Sequence, residues 1–297
     1  MKRTDFCPAC NTHKNKSKVF LKRNINTDKI RKHTFSSRKK PEFLNYQLLK
    51  CNVCDLIFSI NIPDLEKVDS SYRNSIFISS QDETDAADVY YNNLKNLINF
   101  KNYDSVLEIG SGSGSFIKKL NVKNKVGIEP SISSIENADP KIKNCLVNES
   151  FENTKIQKNS TDLVCCFMTM EHVYDPLLIL KKAYQFLTNK GKIILITHDY
   201  DYFLNKILGK KSPIIDIEHL QLFSPKSIDY ILKVSNFKNI KIFRFKNKYR
   251  IEYWLSLLPI PIIFKNFLIK IFRLIGLSNF KMGFNIGNMI IIADKND

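Results

Sequence analysis

Val106-Leu-Glu-Ile-Gly110-Ser-Gly112-Ser-Gly114-Ser-Phe116 is the stretch on which the reading of this chain turns. An apolar run ends at Ile109 and only glycine and serine follow through position 115. Small residues there let the backbone turn sharply after a strand and approach a ligand closely. The helix expected next offers free N–H groups. Glu108 stands just before the turn, and Glu129 lies 21 residues beyond it, at the end of the next apolar run. A carboxylate so placed can accept both ribose hydroxyl hydrogens of an adenosine ligand.

Outward from this loop the pattern alternates strand and helix. Strands are expected over Ser105–Ile109, 125–129, 163–169 and 192–198, with two more near 239–245 and 288–293. Asp175-Pro176 and Ser224-Pro225 each read as an N-cap followed by proline at the first helical position. Alternation of this kind implies a parallel, doubly wound α/β sheet. Before the sheet, Val89, Leu94, Leu97 and Ile98 predict a helix over about 83–99 inside a connector, residues 63–103. Residues 104–297 then form the main domain.

Dinucleotide enzymes use a similar glycine turn to hold a pyrophosphate. Glu108 discriminates. A carboxylate just before the loop repels pyrophosphate and favours the sulfonium and amino groups of S-adenosylmethionine. The spacing is also G-x-G-x-G rather than G-x-G-x-x-G. Four stretches taken together resemble the class I methyltransferase superfamily. They are residues 106–116, Val126-Gly-Ile-Glu-Pro130, Thr161-Asp-Leu-Val-Cys-Cys-Phe-Met-Thr-Met-Glu-His-Val-Tyr-Asp-Pro176 and Leu187-Thr-Asn-Lys-Gly-Lys-Ile-Ile-Leu-Ile196. The resemblance implies a Rossmann-like seven-stranded sheet with a reversed last strand. It implies that Glu108, Gly110, Ser111, Gly112 and Gly114 line the methyl donor, that Glu129 holds its ribose, and that Phe167 and Met168 face it. Asn148 or Glu149 is the expected adenine contact.

Transfer to a hydroxyl benefits from a general base, and histidine suits that role near neutral pH. His172 follows the fourth core strand and His219 lies in a later loop, so both are candidate catalytic residues; His198 ranks behind them. The competing reading of His172 is a hydrogen-bond partner that shapes its loop. His13 and His33 fall in a basic stretch and read as solvated.

Four of the seven cysteines form two C-x-x-C pairs, Cys7/Cys10 and Cys51/Cys54. Four thiolates suit tetrahedral zinc, and with every position filled by protein the metal is structural. Residues 1–62 are therefore expected to be a small zinc-ribbon-like module, with residues 14–40 as a long loop. Cys145, Cys165 and Cys166 sit in apolar strand contexts and read as inert thiols. Cys-Pro-x-Cys, then Cys-x-x-Cys-Asp-Leu-Ile-Phe, then this domain resembles bacterial methyltransferases of sugar and surface-polysaccharide pathways. A small-molecule acceptor follows from that resemblance: a sugar, a nucleotide sugar or a lipid-linked precursor.

The formal charge of +17 raises a second function, an RNA methyltransferase whose basic head grips phosphates. Its distribution weighs against this. Residues 1–40 hold 13 Lys/Arg against 2 Asp/Glu, and the rest of the chain is rich in Lys, Asn and Ile throughout, as a base-composition bias produces. The place of an Asn/Asp-Pro-Pro-aromatic amine-methylation signature reads Thr-Met-Glu-His. A non-catalytic scaffold is a third reading, opposed by the intact loop. No secretory leader is read at the N-terminus, so a cytoplasmic enzyme is expected. The apolar insert 251–285, carrying Lys265, Lys270 and Arg273, is too short and charged to span a bilayer. A lid, a peripheral contact at the inner membrane face and a dimer face are its candidate roles.

Overall fold

The computed structural model describes residues 5–25, 34–36, 39, 41–62, 65–258 and 260–295. Part of the basic stretch 14–40, with His33, lies outside the described residues. Its start is not a loop: Ser17–Leu21 is a strand, β1. It runs antiparallel to β2 (Gln47–Cys51), which pairs with β3 (Ile57–Ile60). All four residues of β3 are buried, as expected of a strand covered on both faces. Helix α1 (Leu65–Arg73) and helix α2 (Ser80–Leu94) follow. Ser79 caps α2 by accepting the Asp82 N–H, and Asp82 and Glu83 complement the dipole of its first turn.

The main sheet begins with β4 (Ser105–Ile109) and continues through β5 (Asn124–Ile128) and β6 (Leu146–Val147), with short helices α3 (Ile132–Glu136) and α4 (Pro140–Lys143) between the last two. Next come β7 (Thr161–Phe167), α5 (Pro176–Phe186), β8 (Leu187–His198), α6 (Phe203–Leu208), a two-residue strand β9 (Gln221–Leu222) and α7 (Pro225–Val234). Both expected caps are present: Asp175 accepts the Leu178 N–H, and Ser224 forms a capping box with Ser227. The last part holds β10 (Lys238–Arg244), β11 (Asn247–Arg250), α8 (Ile251–Leu257), α9 (Ile262–Leu274), β12 (Lys281–Phe284) and β13 (Asn288–Asp294).

The seven-stranded sheet has the order β10-β13-β8-β7-β4-β5-β6, and β13 runs antiparallel to both neighbours. This is the α/β sheet with a reversed last strand that the sequence predicts. One face packs Leu107, Val164, Cys166, Leu195 and Ile291 against α5 and α7 and against Phe58 of the head. The other packs Val106, Cys165, Ile194 and Ile290 against α2 and Tyr249. Full burial of a side chain such as Phe58 or Leu107 stabilises by about 1.5–3 kcal/mol.

Two features differ from expectation. The helix expected after the glycine loop is a single 3-10 turn, Ile117–Lys119. Only the fourteen residues 110–123 link β4 to β5, too few for the loop, a full helix and the return. The second is β9, which pairs antiparallel with β3 and so completes the head sheet, β1-β2-β3-β9, from within the main domain.

Candidate active site

A cavity of about 810 Å³ opens at the carboxyl ends of the central strands, where ligands sit in open α/β sheets. Glu108, Gly110, Ser111, Gly112, Glu129, Phe167, Met168, His172 and His219 all line it. Gly114 does not; a Cβ there would strike Ile142 and Leu146, so its smallness serves packing behind the loop.

The loop N–H groups are already committed. Gly110 and Ser111 donate to the Ile128 carbonyl. Gly112 donates to Glu129 Oε2 at 2.9 Å, and Ser113 to Glu83 Oε1 at 2.7 Å. Phosphate sites need such groups free and a positive field. Here three carboxylates, Glu83, Glu108 and Glu129, surround the loop instead. Gly112 has φ +56, and a Cβ would lie 2.5 Å from Glu83 Oε1. Glu129 is gripped further by the Ser131 N–H at 2.8 Å, yet burial pushes its pKa up to about 7. Burial, then Glu83, then Glu129 push Glu108 well above the usual carboxylate range. Glu108 Oε2 and Ser111 Oγ are buried without a hydrogen-bond partner. Crowded buried carboxylates are costly unless a cation joins them. The cavity therefore fits a ligand carrying hydroxyls and positive charge, as S-adenosylmethionine does.

Phe167 meets Phe116 edge-on at 4.7 Å and Tyr90 at 5.4 Å, which fixes one wall. Met168 follows at φ +49, a conformation a non-glycine residue adopts only when its surroundings hold it. Its N–H donates to the Ile196 carbonyl at 2.7 Å. Asn148 turns away, donating to the Glu129 and Pro130 carbonyls, and Ser150, Phe151 and Glu152 line the cavity nearby.

Three imidazoles gather at the other end. His172 and His219 have ring centroids 4.8 Å apart, and His198 lies 5.5 Å from His219. The Tyr72 hydroxyl donates to the Glu218 carbonyl at 2.9 Å and touches His172 Nδ1 at 3.0 Å. Burial pushes the His172 pKa down to about 4. Burial, then His172 and His198, hold that of His219 well below the usual imidazole range, so both rings are neutral at neutral pH. His219 Nδ1 donates to the Ile214 carbonyl at 2.7 Å, which leaves the lone pair on Nε2, 4.0 Å from a Glu218 carboxylate oxygen. His198 is tied to Asn288 at 2.9 Å, and its backbone N–H donates to buried Glu171.

Residues 80–242, more than half of the chain, match the family of methyltransferase domains. The chain belongs to that family. An uncharacterized protein of Methanocaldococcus jannaschii is 29% identical over 136 residues, which is 46% of this chain; the match spans 65% of that relative, under two thirds of its length. Among solved structures, an S-adenosylmethionine-dependent methyltransferase from Thermotoga maritima superposes with a TM-score of 0.50 at 20% identity, covering 72% of this chain and 91% of that one. The YcgJ protein of Bacillus subtilis gives 0.53 at 13% identity, covering 69% and 97%. At these identities the two structures speak for the fold.

The sequence did not point to Glu83, Tyr72 or Trp254, which also line the cavity. Glu83 resembles any acidic residue in a first helical turn, and Tyr72 lies 100 residues from the histidine it touches. Only the glycine-loop and histidine contributions had a local signature.

The four paired cysteines lie outside the cavity, in the head. Their Sγ atoms all fall within 4.8 Å of one another. Cys7 and Cys54 are 3.4 Å apart, and Cys10 and Cys51 are 3.6 Å apart. Sulfurs of a tetrahedral zinc site stand about 3.8 Å apart, given Zn–S near ~2.3 Å. The two knuckles are near copies: Asn11 N–H donates to Cys7 O and Asp55 N–H to Cys51 O, with Asn11 and Asp55 both at positive φ. The donor set and spacing fit zinc. Cys165 and Cys166 are fully buried, which raises their thiol pKa values and keeps them inert; Cys145 is half-buried.

Proposed function

We propose that the protein is an S-adenosylmethionine-dependent methyltransferase acting on a hydroxyl of a small-molecule acceptor, a sugar, nucleotide sugar or lipid-linked glycan precursor. The observation that carries this is the glycine loop whose Gly112 and Ser113 N–H groups are spent on carboxylates, with Glu108 Oε2 buried and unpartnered beside it and neutral His172 and His219 lining the same cavity. Bound there, S-adenosylmethionine supplies an electrophilic methyl group on a positively charged sulfur. Glu129 would accept its ribose hydroxyl hydrogens, and Glu108 would balance its positive charge. His219 Nε2 takes the acceptor proton, and the Glu218 carboxylate offsets the charge of the imidazolium that forms. His172, fixed by Tyr72 and the Glu218 carbonyl, orients the acceptor or shares the base role. Alignment supplies most of the acceleration. The four head thiolates hold a structural zinc.

Phe35 packs edge-on against Tyr72, and Tyr72 against His172, and with Tyr174 and Asp69 they line the cavity, a mixture of apolar rings and a carboxylate that suits a sugar ring. The test is a donor-dependent screen against nucleotide sugars, oligosaccharides and bulk RNA. Methylation of a sugar-containing acceptor is expected. In His219→Ala turnover falls by about a hundredfold to ten-thousandfold while donor affinity persists; His172→Ala slows it too. Turnover on RNA alone, or equal turnover in both variants, overturns the acceptor and the base respectively.

A further inference from the structure

Helix α9 is apolar on two faces. Leu268, Ile269 and Phe272 turn inward and are half-buried. Ile263, Phe267, Lys270 and Leu274, at steps of four, three and four, form a stripe on the opposite side. Ile263 is 76% exposed and Leu274 77%, with Phe264 beside them at 61%. A surface helix of a water-soluble protein keeps that side polar. Apolar side chains are open on α6 as well, where Phe203 is exposed and Ile207 is 75% exposed. A cleft lined by Lys22, Arg23, Lys210, Lys211, Leu258 and Lys265 joins the start of α9, the turn that follows α6 and the edge of the head. Phe203, Leu258 and Phe284 are exposed and also line the catalytic cavity, so this surface rims its mouth.

Charge identifies the occupant. Lys22, Arg23, Lys210, Lys211 and Lys270 are exposed around the apolar stripe. The acidic side chains of the same segments are engaged, Glu252 by Arg273 and Asp201 by Lys206. A twofold contact with a second copy would set these cations against one another. A surface of anionic headgroups over hydrocarbon satisfies both features. Among the described residues no helix is long and apolar enough to cross a membrane, so the contact is peripheral. We propose that α9, with α6 and the rim between them, seats the protein on an anionic lipid surface.

Flotation with two vesicle types tests this, one of phosphatidylcholine alone and one of phosphatidylcholine mixed with phosphatidylglycerol. The full-length protein is expected to float with the mixed vesicles and to be released by salt. Ile263→Asp and Phe264→Asp each weaken that partitioning by about tenfold or more, with the thermal melt unchanged because both side chains are already exposed. The pair Lys210→Glu and Lys211→Glu acts in the same direction on mixed vesicles alone. Absence of flotation with mixed vesicles overturns the proposal, as does undiminished flotation of Ile263→Asp. So does a concentration-dependent dimer, seen by sedimentation without lipid, that Ile263→Asp dissolves.

Discussion

Glu129 shows how much of the site's behaviour rests on single carboxylates. Its pKa stands at about 7 in the donor-free protein because burial outweighs the Ser131 and Gly112 N–H groups. A cationic donor favours the ionised form, so binding releases a proton wherever Glu129 is still protonated. The sign follows: affinity is weak below about pH 7, rises as pH rises through it, and is level above. Glu108, also raised, acts in the same direction. Calorimetric titration with S-adenosylmethionine is expected to show affinity falling by up to about tenfold per pH unit per group on the acid side. Glu129→Gln flattens its share of that slope. An affinity constant from about pH 8 to about pH 5 removes the carboxylates from donor binding. The place of Glu129 beside the glycine loop was legible beforehand because that depends on a spacing along the chain. Glu83 was not, since a 2.7 Å bond to Ser113 across 30 residues leaves no local pattern.

Among elements, the short ones carry the coupling. Asp55, next to Cys54, accepts hydrogen bonds from the Tyr200 hydroxyl and the Ser224 hydroxyl, both at 2.6 Å. Ser224 is also the cap of α7. One hydroxyl thus serves the head, the helix and the loop that leads from His219. Ser224→Ala is expected to cost about 1–3 kcal/mol, more than a surface cap alone, measured by denaturant unfolding. A loss under about half a kcal/mol means that the bond to Asp55 contributes nothing net. The long strands and the two Pro-started helices announced themselves through apolar runs and caps. The two-residue β9 could not, because Gln221-Leu222 has no period to read and is a strand only by virtue of β3. The helix after the glycine loop failed for the opposite reason: the local pattern permitted it, and the length of the connection did not.

At the scale of the molecule, the head and the catalytic sheet share one interior. Cys7, Cys51, Cys54 and Phe58 belong to the same buried cluster as Val164, Leu195 and Ile291. Removing a metal held by these cysteines should then loosen more than the knuckles. A strong chelator, or Cys51→Ser, is expected to lower the unfolding midpoint of the whole protein in a single cooperative transition, with a loss on the order of several kcal/mol. Metal analysis is expected to give one zinc per chain. Two separate transitions, with the catalytic one unmoved, would show the head to be independent.

The pairing of β3 with β9 bears on how this protein could be cut and recombined. A chimera that grafts residues 1–62 onto a different catalytic domain carries β3 with one edge bare and Ile57 and Phe58 newly open to water, a template for aggregation. Deleting the same residues from this chain strips the partner from Leu220 and Leu222, beside the loop that presents Glu218 and His219. The portable unit is therefore discontinuous. Its border follows hydrogen bonds rather than chain order, and the segment around residues 200–224 has to travel with the cysteines.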